Sequence, residues 1–233
     1  MLRPDWYPDE LAHAGPEHLD RAYIATYDRK AGTDPTEDVA ALRALGLDRS
    51  SVLVDLGAGT GILTIAAAPH CRRVIAVDVS AAMLAALDAK LGTLGLTNVA
   101  TERAGFLSYD HQGPPADFVY SRNALHHLSD FWKGIALARI AAILRPGGVL
   151  LLRDLVYNFD PGEAAGAVEA WLSRAAARPE DGWTRAELAE HLYSEYSTYT
   201  WLFEPLLERA GFLIRDVQAP PQSPYAAYTC VKR

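Results

Sequence analysis

Short, nearly continuous apolar runs at positions 52–56, 74–77, 118–120 and 149–152 alternate with longer helical stretches at 62–68, 81–94 and 131–144. Runs of this length without polar alternation predict parallel strands covered on both faces. Arg145-Pro146-Gly147-Gly148 breaks the last of these helices and turns the chain into the next strand. Strand–helix alternation predicts an α/β fold, a doubly wound and mostly parallel sheet with right-handed crossovers.

The two ends depart from this pattern. Residues 1–33 are mixed, with Pro4, Pro8 and Pro16 followed by a helix-like stretch at 19–27, and read as an arm with a lid helix. Asp34-Pro35-Thr36-Glu37 opens a helix that Gly46 closes, so the main domain is expected to span 34–233. After Val156 the alternation stops. Residues 161–210 read as helices, one opened by the capping box Thr184-Arg185-Ala186-Glu187, before two final strands near 213–218 and 226–232. An insertion beyond a strand's carboxyl end lies where ligands bind in open α/β sheets. The stretch 161–201 is therefore expected to be a helical cap over the site.

Composition narrows the partners. Half of the 233 residues are hydrophobic, and no apolar run approaches the roughly 18–20 residues of a membrane span. The first residues lack a secretory pattern, which makes the cytoplasm the expected compartment. Cys71 and Cys230 are far apart and read as free thiols, and no histidine or cysteine spacing points to a metal site. The net charge of −7 and the lack of a dense Lys/Arg run argue against nucleic acid as partner. Protein and small-molecule substrates remain open, as do a homo-oligomer and a partner-subunit role.

The strongest local signal is Val52-Leu53-Val54-Asp55-Leu56-Gly57-Ala58-Gly59-Thr60-Gly61-Ile62, a strand feeding a glycine-rich turn that opens a helix. Glycine lets backbone approach a ligand closely. Asp78 ends the next strand about 20 residues on, where a ribose would lie, and its two oxygens suit both ribose hydroxyls. The dinucleotide fingerprint is poorly matched, because Ile62 stands where its third glycine belongs, and no Gly-Lys-Ser/Thr phosphate loop is present.

Asp55–Gly61 resembles the first motif of class I S-adenosylmethionine-dependent methyltransferases. Val77-Asp78-Val79-Ser80, with Met83-Leu84 on the following helix, resembles their second. The stretch 116–128, ending Asn123-Ala124-Leu125-His126-His127-Leu128, resembles the fourth-strand motif, and Leu144–Gly148 the turn before the fifth strand. The resemblance implies a seven-stranded Rossmann-like sheet and S-adenosylmethionine as cofactor. It implies that Gly57 and Gly59 pass under the methionine and ribose, that Asp55 lies near the methionyl ammonium, and that Asp78 holds the ribose. Val79 and Met83 would flank the adenine, Asn123 would approach the methionine, and Tyr27 belongs to an arm like those that close over the cofactor. One departure stands out: Gly105 occupies the place where the family commonly has an aspartate for the adenine amino group, leaving backbone and Phe106 to hold that edge.

The sulfonium makes the methyl group electrophilic, so the protein's tasks are alignment, exclusion of water and, for some acceptors, proton removal. Candidate bases at the sheet's carboxyl edge are His126, Asp154 and Tyr157. Candidate substrate contacts are Arg122, His127 and Arg153, with Tyr196 and Tyr199 from the cap. The expected activity is methyl transfer to oxygen, nitrogen or carbon of a small molecule. The alternatives are the same fold repurposed for cyclisation or elimination, a partner subunit, and an RNA or protein methyltransferase.

Overall fold

The computed structural model describes residues 4–13, 24, 27, 28, 30, 32 and 34–233. Most of the expected lid helix at 19–27 lies outside the described residues. The strands are β1 (Val52–Leu56), β2 (Arg73–Asp78), β3 (Val99–Arg103), β4 (Ala116–Arg122), β5 (Leu144–Asp154), β6 (Val156–Tyr157), β7 (Thr198–Tyr199), β8 (Phe212–Gln218) and β9 (Ala226–Lys232). Seven of them form one sheet in the order β3-β2-β1-β4-β5-β9-β8, in which β1 to β5 run parallel and β9 is antiparallel to both its neighbours. The chain moves outward from β1 to β3 and then returns to place β4 on the other side of β1. The crevice at that reversal is the expected ligand position of an open α/β sheet.

The alternation of side chains along each strand explains the layering. Val54, Leu56, Val77, Val119, Leu150 and Leu152 face helices α4 (Asp130–Ile143) and α7 (Thr200–Arg209), where Leu137, Ile140, Phe203 and Leu207 complete one core. Their neighbours Leu53, Val74, Phe118, Tyr120 and Leu151 face the opposite way, onto α1 (Thr36–Ala44) and α2 (Ile62–Ala67). Helix α3 (Ala81–Leu94) covers Ala76 with Leu84, Leu87 and Leu91. Burial on both faces is why these strands read as unbroken apolar runs.

Three boundaries differ from the sequence expectation. Strand β3, Val-Ala-Thr-Glu-Arg, is an edge strand with half-buried side chains, so it carries no apolar run. Strand β5 begins at Leu144, because Arg145–Gly148 forms a bulge inside the pairing with β4, between Ala116↔Leu144 and Phe118↔Val149. Helix α7 belongs to the sheet's covering layer. The segment between β5 and α7 holds α5 (Ala164–Leu172), α6 (Arg185–Ser194) and the two-stranded β6–β7 ribbon. It has its own apolar clusters, Leu155, Trp171, Leu172 and Leu188 in one and Tyr157, Phe159 and Ala167 in the other. Thr184 and Glu187 form the reciprocal cap read from the sequence.

Candidate active site

The glycine loop is strapped to the end of β2. Gly57 and Ala58 both donate their N–H to the Val77 carbonyl, at 2.9 and 3.0 Å, and Gly59 N donates to Asp78 Oδ2 at 2.8 Å. Asp78 Oδ1 accepts from Ser80 N at 2.8 Å, so one carboxylate fixes both the loop and the entry to α3. Gly57 has φ +75°, and a β-carbon there would come within 2.4 Å of the Ala124 side chain, which allows only glycine. Over Gly59 an added β-carbon would meet nothing within 4 Å. The cavity opens directly above that backbone.

Asp55 lies beneath the loop, 2 % exposed, and accepts from Thr64 Oγ1 at 2.6 Å. Burial pushes its carboxyl up to about 7; the Thr64 hydrogen bond opposes the shift, and the charge of Asp78 adds to it.

Two adjoining cavities meet at this loop. The smaller, about 100 Å³, is walled by Asp78, Val79, Met83, Gly105, Phe106 and His127, and the larger, about 530 Å³, by Asp55, Tyr120, Arg153, Trp183 and Tyr225. Both are lined by Tyr27, Gly57, Gly59, Arg122 and Asn123. All ten residues expected at the cofactor thus come together around one continuous crevice. Asn123 takes φ +49°, and its N–H is held by the Arg153 carbonyl at 2.9 Å, turning the chain beside Gly57 after β4.

Sequence reading missed two acids here. Glu10, from the arm, places its carboxylate where a β-carbon on Gly105 would stand, 2.3 Å from that point. It accepts from Leu107 N at 2.9 Å and Ser108 Oγ at 2.8 Å, and it lines the smaller cavity. No local signal links position 10 to position 105; only the folded arm brings them together. Asp38 of α1, 1 % exposed, accepts from Tyr120 Oη at 2.5 Å and Arg122 Nη1 at 3.0 Å, and pairs with Arg153 Nε. The two arginines expected at the substrate do line the larger cavity, joined through this one buried carboxylate.

The arm and cap close around the same loop. Asp28 accepts from Thr60 Oγ1 and from Lys90 Nζ at 2.5 Å, while Lys30 pairs with Glu187 of α6 and lies over the Trp183 ring at 5.0 Å.

The candidate bases fare differently. His126 is 3 % exposed and lines neither cavity. Its Nδ1 donates to Asp154 Oδ1, and its Nε2 lies 3.2 Å from Glu195 Oε2. Burial disfavours its charge, but the two carboxylates outweigh that and push the imidazolium up to about 9. With both ring nitrogens facing carboxylates and the ring outside both cavities, His126 is not placed to take a substrate proton, which corrects its expected role as base. Asp154 lines the larger cavity, yet it is committed: it also accepts from Leu125 N at 2.9 Å and Leu155 N at 2.8 Å, and its carboxyl is held low. Tyr157 is buried in the β6–β7 joint, stacked on Phe159 at 5.3 Å, and its phenol is pushed up by burial. Tyr199 packs there too, against Tyr157, Phe159 and Trp201. Tyr196 is 45 % exposed, and its N–H donates to the His126 carbonyl at 2.9 Å. None of these three tyrosines lines either cavity. The cap residue that does so is Trp183, joined by Tyr225 from the loop before β9.

The residues present fit S-adenosylmethionine: a strand-end acid for ribose hydroxyls, apolar walls from Val79, Met83 and Phe106 for a purine, and a buried carboxyl for an ammonium. Comparison with known proteins agrees. Residues 53–148 match the family model described as a methyltransferase domain. An uncharacterized methyltransferase of Anoxybacillus flavithermus is 29% identical over 164 residues, 70% of each chain. A ubiquinone biosynthesis O-methyltransferase of Rhodopseudomonas palustris is 29% identical over 165 residues, covering 67% of this chain and 63% of that protein. The fold is shared with magnesium protoporphyrin IX methyltransferase of Synechocystis, solved with bound S-adenosylmethionine, at a TM-score of 0.66, 15% identity and coverage of 99% and 100% of the two chains. Glycine loop, strand-end acid, sheet order and relatives agree: residues 53–148 form a methyltransferase domain with S-adenosylmethionine as its cofactor.

Proposed function

We propose that this enzyme methylates a small molecule that carries an anionic group and binds in the larger cavity. The observation that carries this reading is the trio Arg122, Arg153 and Asp38 at that cavity's wall. Two guanidiniums share one carboxylate, which leaves one net positive charge within this trio, at the wall of a cleft of about 530 Å³, of the size small-molecule pockets have. A guanidinium fork suits a carboxylate or phenolate oxygen. Trp183 and Tyr225 supply flat apolar walls opposite. The R. palustris relative, whose name assigns it to ubiquinone biosynthesis, is in keeping with a small acceptor.

The cofactor supplies an electrophilic methyl group on a sulfonium. This chain's residues then have three tasks. Asp78 and the Gly57–Gly59 backbone hold one side of the crevice. Glu10 offers the adenine edge the acidic acceptor that Gly105 lacks. Lys30, Glu187 and Trp183 draw the arm and cap over the larger cavity and exclude water. No uncommitted base lines the cavities at the positions first considered, which favours acceptors that are already ionised or of low pKa.

The test is adenosylhomocysteine release with labelled S-adenosylmethionine and a panel of aromatic and aliphatic acids, matched with their neutral amides. Acid-dependent product that Arg153→Gln lowers at least about tenfold supports the reading. Equal turnover of acids and amides would overturn it.

A further inference from the structure

Beside the smaller cavity lies a cluster, mostly shielded from solvent, that the methyl-transfer reading does not use. His126 and His127 stand side by side on the turn after β4, with ring centroids 4.4 Å apart. Glu195, at the end of α6, faces both: Oε2 is 3.2 Å from His126 Nε2, and Oε1 is 3.9 Å from His127 Nδ1. One ligand-type atom from each of the three residues lies within 4.8 Å of the others.

We propose that His126, His127 and Glu195 form a binding site for a divalent first-row transition ion of the zinc class. The juxtaposition has the features such sites need. Two imidazole nitrogens and one carboxylate are the donor set of many three-ligand zinc and iron(II) sites, which keep a further position open. Asp154 takes the Nδ1 proton of His126, fixing the tautomer that presents the Nε2 lone pair toward Glu195. Nε2 lies 3.2 Å from Glu195 Oε2, the separation of two ligand atoms on one ion, so a bound metal ion would take the place of a bridging proton. His191, one helical turn before Glu195, grips the same carboxylate and orients it as Asp154 orients His126. His191 is itself set between Trp171 and Trp183, at ring-centroid distances of 6.2 and 6.3 Å.

The scaffold holds the ligands in place from both sides. Tyr196 N donates to the His126 carbonyl at 2.9 Å, tying the end of α6 to the histidine turn, and Lys133 Nζ binds the Tyr196 carbonyl. Side-chain exposures of 3 %, 19 % and 11 % for His126, His127 and Glu195 seclude the site from bulk water. His127 also lines the smaller cavity, so the site adjoins the methyl-transfer crevice. Bound there, an ion would join cap to sheet. This proposal is independent of which acceptor the enzyme methylates.

The test uses the full chain without a polyhistidine tag, stripped with chelator. Cobalt(II) is titrated in as the spectroscopic probe, and zinc(II) as the competitor. We expect one equivalent of cobalt(II) to give d–d bands distinct from those of the aqueous ion, zinc(II) to abolish them, and zinc(II) to raise Tm. Glu195→Gln and His127→Ala should each weaken zinc(II) binding at least about tenfold, whereas Tyr193→Ala, on an exposed part of α6, should leave it unchanged. A cooperative thermal unfolding transition and an unchanged far-ultraviolet circular dichroism spectrum show that each variant is folded. Should Glu195→Gln fail to fold, His127→Ala, at the cavity wall, carries the test. Wild-type protein that shows neither bands nor a Tm shift overturns the proposal, as do ligand variants that bind zinc(II) like the wild type.

Discussion

The cofactor half of this molecule, β1 to β4 with their helices, and the cap half, from β6 to β7, are held together by different means. In the first, the site is mostly backbone and short-range: Gly57, Ala58 and Gly59 hydrogen-bond to the last two residues of β2, and Asn123 to the strand beside it. In the second, the joints are side chains from distant parts of the chain, such as Glu195 on His126, Lys30 on Glu187 and Tyr157 on Tyr199. A site made of backbone geometry tolerates few residue types. A site made of side-chain pairs can change its chemistry while the sheet stays the same, which is how one fold serves many acceptors.

The severest way to break the first half is Gly57→Ala. The new methyl would collide with Ala124 at a positive φ, and we expect a loss of about 2 kcal/mol or more of stability together with loss of measurable adenosylhomocysteine binding. Thermal melts with and without ligand check both. Asp78→Ala comes next. It frees the Gly59 and Ser80 amides and removes the acid expected at the ribose, so adenosylhomocysteine should bind at least about tenfold more weakly by calorimetry.

A smaller effect tests Asp55. Its folded pKa is raised from 3.8 to about 7, so the folded protein holds a proton that the unfolded chain has lost, and its contribution to stability declines as pH rises from about 4 to about 7. The ammonium of adenosylhomocysteine favours the ionised carboxylate, so affinity should rise several-fold between about pH 6 and 8, with proton release on binding. Asp55→Asn should flatten that rise; a pH-dependent affinity unchanged in the variant would remove Asp55 from the ammonium site. The weakest effect on the cofactor is expected in the cap. Trp183→Ala should raise the acceptor KM while leaving adenosylhomocysteine affinity within about twofold, because Trp183 lines only the larger cavity. If cofactor affinity falls as steeply as for Asp78→Ala, the two halves are not separable.

Much of the first half was legible because its determinants are contiguous. The loop 55–61 and Asp78 form a pattern fixed by steric need, glycine where backbone must turn and close in, an acid where a strand ends. The same holds for the doubly covered strands, whose burial on both faces writes itself as apolar runs, and for the Thr184–Glu187 cap. Strand β3 escaped because an edge strand needs no such run.

The chemistry beyond the cofactor was decided only by tertiary structure. Position 126 reads the same whether histidine is a free base or a buried ring held between two carboxylates. The difference lies in Glu195, 69 residues on, which the sequence does not join to it. Glu10 beside Gly105, and Asp38 between Arg122 and Arg153, are likewise meetings of residues that have no fixed spacing. Tyr157, expected as a base, and Tyr199, expected at the substrate, pack as joints of the cap, and Tyr196 meets the histidine turn through its backbone N–H. Backbone-directed sites leave a local imprint in the sequence because only a few residue types satisfy their dihedral angles and close approaches. Side-chain constellations leave none, because any strand end or helix face that the fold brings near can supply the partner.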